Sequence, residues 1–258
     1  MIDFIVFTKD RPAQYDLLIR SLMPWADIGV RVSTLYKRTS SEMHKSYELS
    51  VGSPLLCEES TFKRGLLELL SYCKYDRVCM MPDDNVMLSV PMRDQVKYLS
   101  ANRCSSIRLH PKVTFCQPAN KQMKVPELET LPYGYRWQLK GTDRSTCWGY
   151  PQCIENIHDR KTLIKHIEKM AVCRNSGDLE VSMGAMYADA TEMVCLKQPY
   201  TVNIPWNRVL DTNNPTVKGF SVEDGMNRFL KGERLSLQSV QSHAPSNACH
   251  IEIEPVWE

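Results

Sequence analysis

The chain has 258 residues, of which 43% are hydrophobic and 24% are charged. This composition is typical of a folded globular protein and excludes a largely disordered chain. The length allows one large domain or two small ones, with a full hydrophobic core. Because 32 basic residues nearly balance 30 acidic ones, for a net charge of +2, the chain lacks the basic excess of a nucleic-acid-binding protein.

The cysteines and the apolar runs indicate the cellular compartment in which the protein is expected. The ten cysteines include no C-x-x-C pair, and there is no H-E-x-x-H motif, so zinc and redox motifs are not indicated. Free cysteines at this density are more typical of a reducing compartment. The first apolar strand begins directly after Met1, and no apolar run approaches the roughly 20 residues that span a bilayer. We therefore expect a cytoplasmic protein with no membrane span.

The first hundred residues alternate between strand and helix patterns. Strands are predicted at Ile2–Phe7, Gly29–Tyr36 and Arg77–Met81, each followed by apolar residues at helical spacing. Ser60 is the predicted cap of one helix, and Pro91 lies near the start of another. This alternation predicts an α/β fold with a mostly parallel, Rossmann-like central sheet flanked by helices.

The second half is less regular. Prolines interrupt residues Ser106–Tyr150, which predicts functional loops or inserted hairpins there. A helix is predicted after Asp159, a last strand near Met193–Leu196, and a short helix from the cap Ser221. We interpret the whole chain, 1–258, as a single domain with a nucleotide-type half (1–105) and a variable half (106–258). The irregular segment is rich in aromatic residues, namely Tyr133, Tyr135, Trp137, Trp148 and Tyr150.

An acidic loop follows the third strand. Within Val78–Met87, an apolar run ends abruptly in Asp83, Asp84 and Asn85. These side chains are expected at the carboxyl edge of the sheet, where open α/β folds bind ligands. Carboxylate and amide oxygens suit Mg²⁺ or Mn²⁺ bound to a diphosphate. The alternative is a plain turn, since Pro-Asp-Asp-Asn also has good turn chemistry.

Four further residues are candidates for ligand binding or catalysis. Arg11, after the first strand, is placed to grip a phosphate or stack on a base, and Lys63 on a helix could point to the same edge. Each could equally be a solvated charge. Glu180 lies near a helix start, where it could act as a general base or simply cap the helix. His250 would be a ligand only if it lies close to Asp84.

Together these motifs resemble the nucleotide-sugar glycosyltransferases of the GT-A fold, and most of all their family-two-like inverting members from bacteria and viruses. The likeness covers nearly the whole chain, although each motif alone is only moderately specific. It rests on a first-strand motif, a donor-contacting helix start, a DxD-like loop and two downstream segments: Ile5–Pro12, Thr61–Lys63, Met81–Val86, Trp148–Pro151 and Asn203–Arg208.

The resemblance implies a donor site and a metal site. Asp83 would contact the donor ribose, and Asp84 would be the main ligand of Mn²⁺ or Mg²⁺, since the loop ends in Asn85 rather than a third Asp. Asn85 and His250 would complete the metal contacts. The favoured donor is a UDP-sugar, with GDP and dTDP sugars as alternatives. The residues implied around the nucleotide are Thr8, Asp10, Arg11, Lys63, Asp83 and Asp84.

The resemblance also implies an acceptor site. Glu180 would be the carboxylate base that activates a glycan hydroxyl, giving inversion at the anomeric carbon. Glu155 remains an alternative base, because Glu155 and Asn156 stand where related sequences tend to carry Asp-Gly. Trp137, Trp148 and Tyr150 would pack against the acceptor sugar, the alternative being that they form part of the core.

Two other function classes compete with this interpretation. A sugar-phosphate nucleotidyltransferase would share the nucleotide domain and the metal-carboxylate site. Such enzymes usually carry a glycine-rich loop after the first strand, and Thr8–Pro12 contains no glycine. A non-catalytic carbohydrate- or nucleotide-binding module would keep the aromatic cluster yet need neither Asp84 nor Glu180.

Overall fold

A computed structural model of the chain describes residues 1–50, 55–207, 219–243 and 247–258. Its main feature is a nine-stranded mixed sheet with helices on both faces, which confirms the expected α/β class with a mostly parallel central sheet. The strands are β1 Asp3–Lys9, β2 Arg31–Lys37, β3 Leu55–Glu58, β4 Arg77–Pro82, β5 Asn85–Met87, β6 Ser105–Ser106, β7 Phe115–Cys116, β8 Lys121–Gln122, β9 Glu129–Thr130, β10 Gly134–Gln138, β11 Asn156–Asp159, β12 Glu192–Leu196 and β13 Thr201–Asn203.

The helices form two layers, one on each face of the sheet. Strand β1 contributes to the core on both faces, since its alternate side chains point to opposite sides. Phe4 and Val6 belong to one apolar core, whereas Ile5 and Phe7 belong to another. The described α-helices are α1 Pro12–Leu22, α2 Ser41–Glu48, α3 Phe62–Tyr72, α4 Arg93–Ala101, α5 Arg160–Lys169, α6 Ser176–Met183, α7 Val222–Leu230 and α8 Leu237–Ser242, with 3₁₀ turns at Met23–Ile28, Cys147–Gly149 and Gly184–Tyr187. Helices α1 and α4 contribute to the first core, and α3, α5 and α6 contribute to the second.

The strand order across the sheet is β3-β2-β1-β4-β11-β6-β12-β10-β9. The first four strands pair in parallel, and β6 and β12 also pair in parallel. Two strands run against their neighbours: β11, between β4 and β6, and β10, between β12 and β9. The carboxyl ends of β1, β4 and β6 therefore meet the beginning of β11 at one edge of the sheet.

Local capping explains where several helices begin. Thr61, not the predicted Ser60, caps α3, since its hydroxyl accepts from the amide of Arg64. Ser221 caps α7 as expected, accepting from the amide of Asp224 at 2.9 Å. An unpaired amide at a helix start is satisfied in this way by the nearest oxygen with the right geometry. Ser60 and Thr61 are adjacent residues with a hydroxyl group each, so the sequence pattern could not show which of them caps the helix.

The proline-interrupted segment contains two antiparallel pairs, β7 with β8 and β9 with β10, and inserted hairpins were one of the two alternatives expected there. Strands β9 and β10 extend the main sheet. The strand at β12 is not the last, because β13 follows it and pairs with β5 in a separate two-stranded sheet. Arg208, which ends one of the quoted motifs, lies outside the described residues. The proposed division into two halves stays a prediction.

Trp137 and Trp148 form part of a third core. Each is 1% exposed, and their rings meet edge to face with centroids 4.9 Å apart. The Trp137 indole donates to the carbonyl of Trp148 at 2.9 Å, and the Trp148 indole donates to the carbonyl of Val113 at 2.8 Å. Neither ring offers a face to a sugar, so the prediction that they bind the acceptor is wrong.

The composition-based expectations can be compared with this fold. All ten cysteines are free, and nine of them are buried, as a chain without a disulfide framework should be. Buried thiols act as small apolar groups in cores of this kind. Among the described residues, none of the helices has both the length and the apolar character needed to cross a membrane.

Replacing Trp137 with alanine should destabilise the protein by about 3–5 kcal/mol, because it leaves a cavity and an unpaired carbonyl in the third core. Chemical denaturation measures this directly. The control is Tyr72→Ala on the exposed side of α3, where a change within about 0.5 kcal/mol is expected. Unchanged stability for Trp137→Ala, with weakened sugar binding, would contradict the core assignment.

Candidate functional site

A cleft of about 760 Å³ opens at the sheet edge where β1, β4 and β6 end and β11 begins. Its position follows from strand direction, since the loops after parallel strands emerge together at this edge. Its walls come from both halves of the chain, from the loop after β1 to the start of α6. Of the candidates from the sequence, those that line it are Thr8, Arg11, Asp84, Tyr150, Glu155, Glu180 and His250.

Asp83 lies behind the cleft wall rather than on it. It is 1% exposed, forms an ion pair with Arg11, and accepts a hydrogen bond from the Thr8 hydroxyl at 2.6 Å. The Tyr47 hydroxyl in turn donates to Thr8 at 2.9 Å and accepts from the Arg11 amide at 3.2 Å. Asp83 therefore orients the two cleft residues, Thr8 and Arg11, which corrects the expectation that it contacts the donor itself.

Arg11 also faces the second aspartate. Its guanidinium lies 3.7 Å from the Asp84 carboxylate and 3.4 Å from the Asn207 carbonyl. Burial raises the pKa of both Asp83 and Asp84, and the positive charge of Arg11 opposes that rise. The buried guanidinium between the two carboxylates favours their charged forms, but burial outweighs it and leaves the pKa of each carboxylate raised.

Asp10 shapes the loop between β1 and α1. Its backbone is left-handed, with φ at 53°, a conformation in which Asp is among the favoured residues other than glycine. Its carboxylate accepts from the Thr39 amide at 2.8 Å, and its own amide donates to the Lys37 carbonyl at 3.2 Å. Asp10 does not line the cleft, so it holds the loop in place instead of facing a ligand.

Asn85 is fully buried and does not line the cleft. Its amide nitrogen donates to the Pro82 carbonyl at 3.2 Å and to the Glu155 carboxylate at 3.1 Å. Because Asn85 does not line the cleft, the structure does not bring it to the predicted metal site. Asn85 is the first residue of the buried strand β5, and the sequence pattern alone could not show that the strand begins there.

Asn203 joins the acidic loop to the C-terminal segment. Its side chain donates to Asp84 at 2.8 Å, and its backbone pairs with Asn85 on one side and with His250 on the other. Asp84 and His250 consequently flank the same strand and both line the cleft. Burial lowers the pKa of His250 to about 4, so the imidazole is neutral, and its Nδ1 has no hydrogen-bond partner.

Asp84 and His250 fit a divalent cation only in part. Within the described ranges, no group of three or more His, Cys, Asp and Glu side chains is arranged to hold a metal ion. However, Mg²⁺ is usually held by one or two protein ligands together with phosphate oxygens and water. A cleft-facing carboxylate beside a neutral, unpartnered imidazole nitrogen matches that kind of site.

Glu180 projects into the cleft from α6. The capping that could have explained it is supplied by other residues, since Asn175 accepts from the Asp178 amide at 2.8 Å and Asp178 pairs with Arg174 at 2.9 Å. The Tyr150 hydroxyl donates a hydrogen bond to Glu180. Burial raises the pKa of Glu180 to about 7, and the nearby charge of Glu155 adds to the rise. A carboxyl group with this pKa can accept a proton near neutral pH.

Glu155 is held more tightly than Glu180. Its carboxylate pairs with Arg108 at 2.6 Å and accepts from the Cys153 thiol at 2.9 Å and from Asn85. Although burial by itself would raise the pKa of Glu155, the Arg108 charge and these hydrogen bonds lower it. A carboxylate stabilised in this way is a poor proton acceptor.

Lys63 lies away from the cleft. Its ammonium group donates to the carbonyls of Glu168 at 3.1 Å and Met170 at 2.7 Å, at the C-terminal end of α5. A cation there satisfies carbonyls that the helix leaves unpaired. Lys63 does not line the cleft, so the structure does not bring it to the predicted nucleotide site.

Sequence reasoning missed Arg108, Tyr47 and the role of Asn203. Arg108 follows the two-residue strand β6, too short to leave a hydrophobic pattern, and Tyr47 lies in a short helix with no motif. Only Asn203 had a signal, as a polar residue at the end of an apolar run. All three contact candidate residues, and Arg108 also lines the cleft.

Comparisons with known proteins identify the fold but no family. No family model matches the sequence, and no curated protein sequence matches it. The structure is similar to that of S. aureus TarS, with a TM-score of 0.50 and 14% identical residues, over 80% of this chain and 37% of the TarS chain. At this identity the likeness concerns the fold alone.

Two weaker structural similarities accompany it. The structure of TarS residues 1–349 in complex with UDP-GlcNAc has a TM-score of 0.45 and 13% identity, over 78% of this chain and 57% of that chain. A nucleotidyl transferase from Methanothermobacter has a TM-score of 0.40 and 10% identity, over 77% of this chain and 88% of that chain. The chain thus spans well under two thirds of the TarS chains that it matches.

Replacing Arg11 with methionine should destabilise the protein by about 3–5 kcal/mol near pH 8, because Asp83 becomes a buried charge without a partner. The loss should shrink as the pH falls, since Asp83 can then bind a proton and become neutral. Urea denaturation at several pH values measures both effects. The control is Arg103→Met, which breaks an exposed pair with Asp189 and should cost at most about 1 kcal/mol. Equal losses for the two variants would refute the buried-pair argument.

Proposed function

We propose that the protein is a glycosyltransferase that moves a sugar from a nucleotide-diphosphate donor, with UDP-sugars favoured, to a hydroxyl of a glycan acceptor. The observation that carries the proposal is that one cleft is lined by Arg11 and Asp84, from the loops after β1 and β4, and by Glu180, from α6. A phosphate-binding cation, a carboxylate and a carboxyl group with a pKa near neutrality are the groups that such a transfer requires. The fold shared with TarS is consistent with this proposal.

The donor side consists of the loop after β1 and the acidic loop after β4. The Arg11 guanidinium, held in position by Asp83, is suited to bind phosphate oxygens through several N–H groups. Thr8 presents its hydroxyl at the same wall, already oriented by Tyr47 and Asp83. Fixed donors of this kind stabilise the negative charge that develops on a departing diphosphate without having to reorganise.

A divalent cation, Mn²⁺ or Mg²⁺, would be held by Asp84 and His250. When bound, such an ion neutralises charge on the diphosphate, an effect worth several kcal/mol. Asn203 would keep Asp84 oriented through its hydrogen bond of 2.8 Å. The neutral state of His250 leaves a nitrogen lone pair available as a ligand.

Glu180 would take the proton from the acceptor hydroxyl as that oxygen attacks the anomeric carbon. Tyr150 keeps the Glu180 carboxylate directed into the cleft. If the base and the leaving group act on opposite faces of the sugar, a single displacement inverts the anomeric configuration. Of the two candidate bases, Glu180 is the better one, since Glu155 is paired with Arg108 and carries a lowered pKa. Tyr150 is the one predicted aromatic contact that lines the cleft.

Nucleotide binding separates this proposal from a carbohydrate-binding module. Calorimetric titration of UDP, GDP and dTDP, with and without Mn²⁺, should show binding of one nucleotide that strengthens with the metal. Asp84→Ala should lose that metal-dependent gain because its ligand oxygen is gone. The control Asp189→Ala removes an exposed carboxylate and should bind as the wild type does. Failure of every nucleotide to bind would refute the donor site.

Glu180→Gln should keep donor binding and lose transfer by about 10²–10⁴-fold, since the amide cannot accept the proton. Transfer by the wild type should fall as the pH drops below about 7, where Glu180 becomes protonated. The variant should be no less stable than the wild type at pH 8, because folding raises the pKa of Glu180 and so penalises its ionised form. Initial rates and denaturation curves test both points. Full transfer by Glu180→Gln would eliminate this base.

A further inference from the structure

Glu155 connects three segments of the chain at the wall of the cleft. It precedes β11, which runs against β4, so it lies near the end of β4 and beside the acidic loop. One carboxylate oxygen accepts from Asn85 at 3.1 Å, and the other pairs with Arg108 at 2.6 Å and accepts from Cys153 at 2.9 Å. Glu155 and Arg108 are 5% and 8% exposed. Both oxygens are thus occupied, and neither is free for a substrate proton.

The hydrogen bond to Asn85 fixes the acidic loop. Asn85 gives both its N–H groups to partners in the protein, Glu155 and the Pro82 carbonyl. Asp84, one residue earlier, is thereby held between a fixed neighbour and the side chain of Asn203. If the anchor at Glu155 were removed, Asp84 would keep its contacts with Asn203 and Arg11 but lose the fixed neighbour that holds its loop.

The charge of Glu155 also acts on Glu180. Tyr150, Cys153, Glu155 and Arg108 line the same cleft as Glu180, and they are the groups that interact with it electrostatically. Burial is the largest cause of the raised pKa of Glu180, the Glu155 charge adds to it, and Arg108 opposes it. A negative charge near a carboxylate makes that carboxylate a stronger base.

We propose that Glu155 is a positioning residue, which anchors the Asp83–Asn85 loop through Asn85 and, as the partner of Arg108, keeps a permanent negative charge next to Glu180. This inference rests on the proposed function for its consequence in catalysis, but not for the coupling between the two carboxylates. It replaces the alternative that Glu155 is itself the base. Its oxygens hold three protein groups, whereas the described residues supply Glu180 with the Tyr150 hydroxyl as its one hydrogen-bond partner.

The coupling is tested without any substrate. In protein labelled with ¹³C at the glutamate carboxyl carbons, the Glu180 signal is identified by its loss in Glu180→Gln and then titrated. In Glu155→Gln its midpoint should fall by about 1 pH unit, because a negative neighbour is removed while Arg108 remains. The control Glu129→Gln, which breaks an exposed pair with Arg136, should leave the midpoint unchanged. A Glu155→Gln midpoint equal to that of the wild type overturns the proposal.

If Glu155→Gln does not fold, the double variant Arg108→Gln, Glu155→Gln replaces it, since no buried charge is left unpaired. The titration midpoint of Glu180 should fall by less in the double variant than in the single one. The negative charge that raises the pKa of Glu180 and the positive charge that lowers it are then removed together. A midpoint that is unchanged or raised overturns the proposal.

Transfer kinetics then test the catalytic consequence. The acidic limb of kcat against pH should move down with the NMR midpoint in Glu155→Gln, and the KM for the donor should rise because the loop has lost its anchor. Absence of turnover by the wild type would refute the proposed function and leave the NMR result standing. Turnover in Glu155→Gln with an unmoved acidic limb would overturn the positioning role.

Discussion

The structure of the cleft depends on one reversal of strand direction. Strand β11 lies between β4 and β6 but runs against both, so its first residues lie where theirs end. A purely parallel sheet would have placed Glu155 at the opposite edge, far from the acidic loop. With the reversal, segments separated by tens of residues in sequence supply side chains to one site. The strand topology, rather than any single sequence motif, therefore creates the cleft.

Because these segments converge on one site, charged side chains become buried there. Two guanidinium groups, those of Arg11 and Arg108, are paired with carboxylates at the edge of the sheet. Pairs of this kind contribute little net stability, because the loss of hydration offsets most of their attraction. Hydrophobic side chains of similar size would often be at least as stable. The presence of such costly pairs around a cleft is therefore better explained by what they do to neighbouring groups than by folding.

The sequence predicted the fold class and roughly half of the candidate site. Long apolar runs marked β1 and β4, and the polar residues after them, Arg11 and Asp84, do line the cleft. The sequence-based prediction failed where the direction of a side chain decides whether a residue lines the cleft. Asn85 and Asp84 are adjacent and equally polar, yet one turns to the interior and the other to the cleft. The two tryptophans failed for the same reason, since a packed ring and a sugar-binding ring leave the same pattern in a sequence.

Residues in very short elements were beyond prediction for a different reason. Arg108 follows a two-residue strand, and only long-range pairing with β11 and β12 reveals that a strand is there. Glu155 was noticed in the sequence, but its role depends on Arg108. A pattern-based interpretation treats residues one at a time, whereas the properties of this carboxylate come from its partners.

The wall around Thr8 is held in place by contacts within the protein itself. A chain of hydrogen bonds and ion pairs links Tyr47, Thr8, Asp83 and Arg11, and the left-handed backbone at Asp10 holds the loop that carries them. A ligand that enters such a wall does not have to immobilise it, so little conformational entropy is lost on binding. Preorganisation also sharpens selectivity, because a rigid wall cannot adjust to a ligand of the wrong shape.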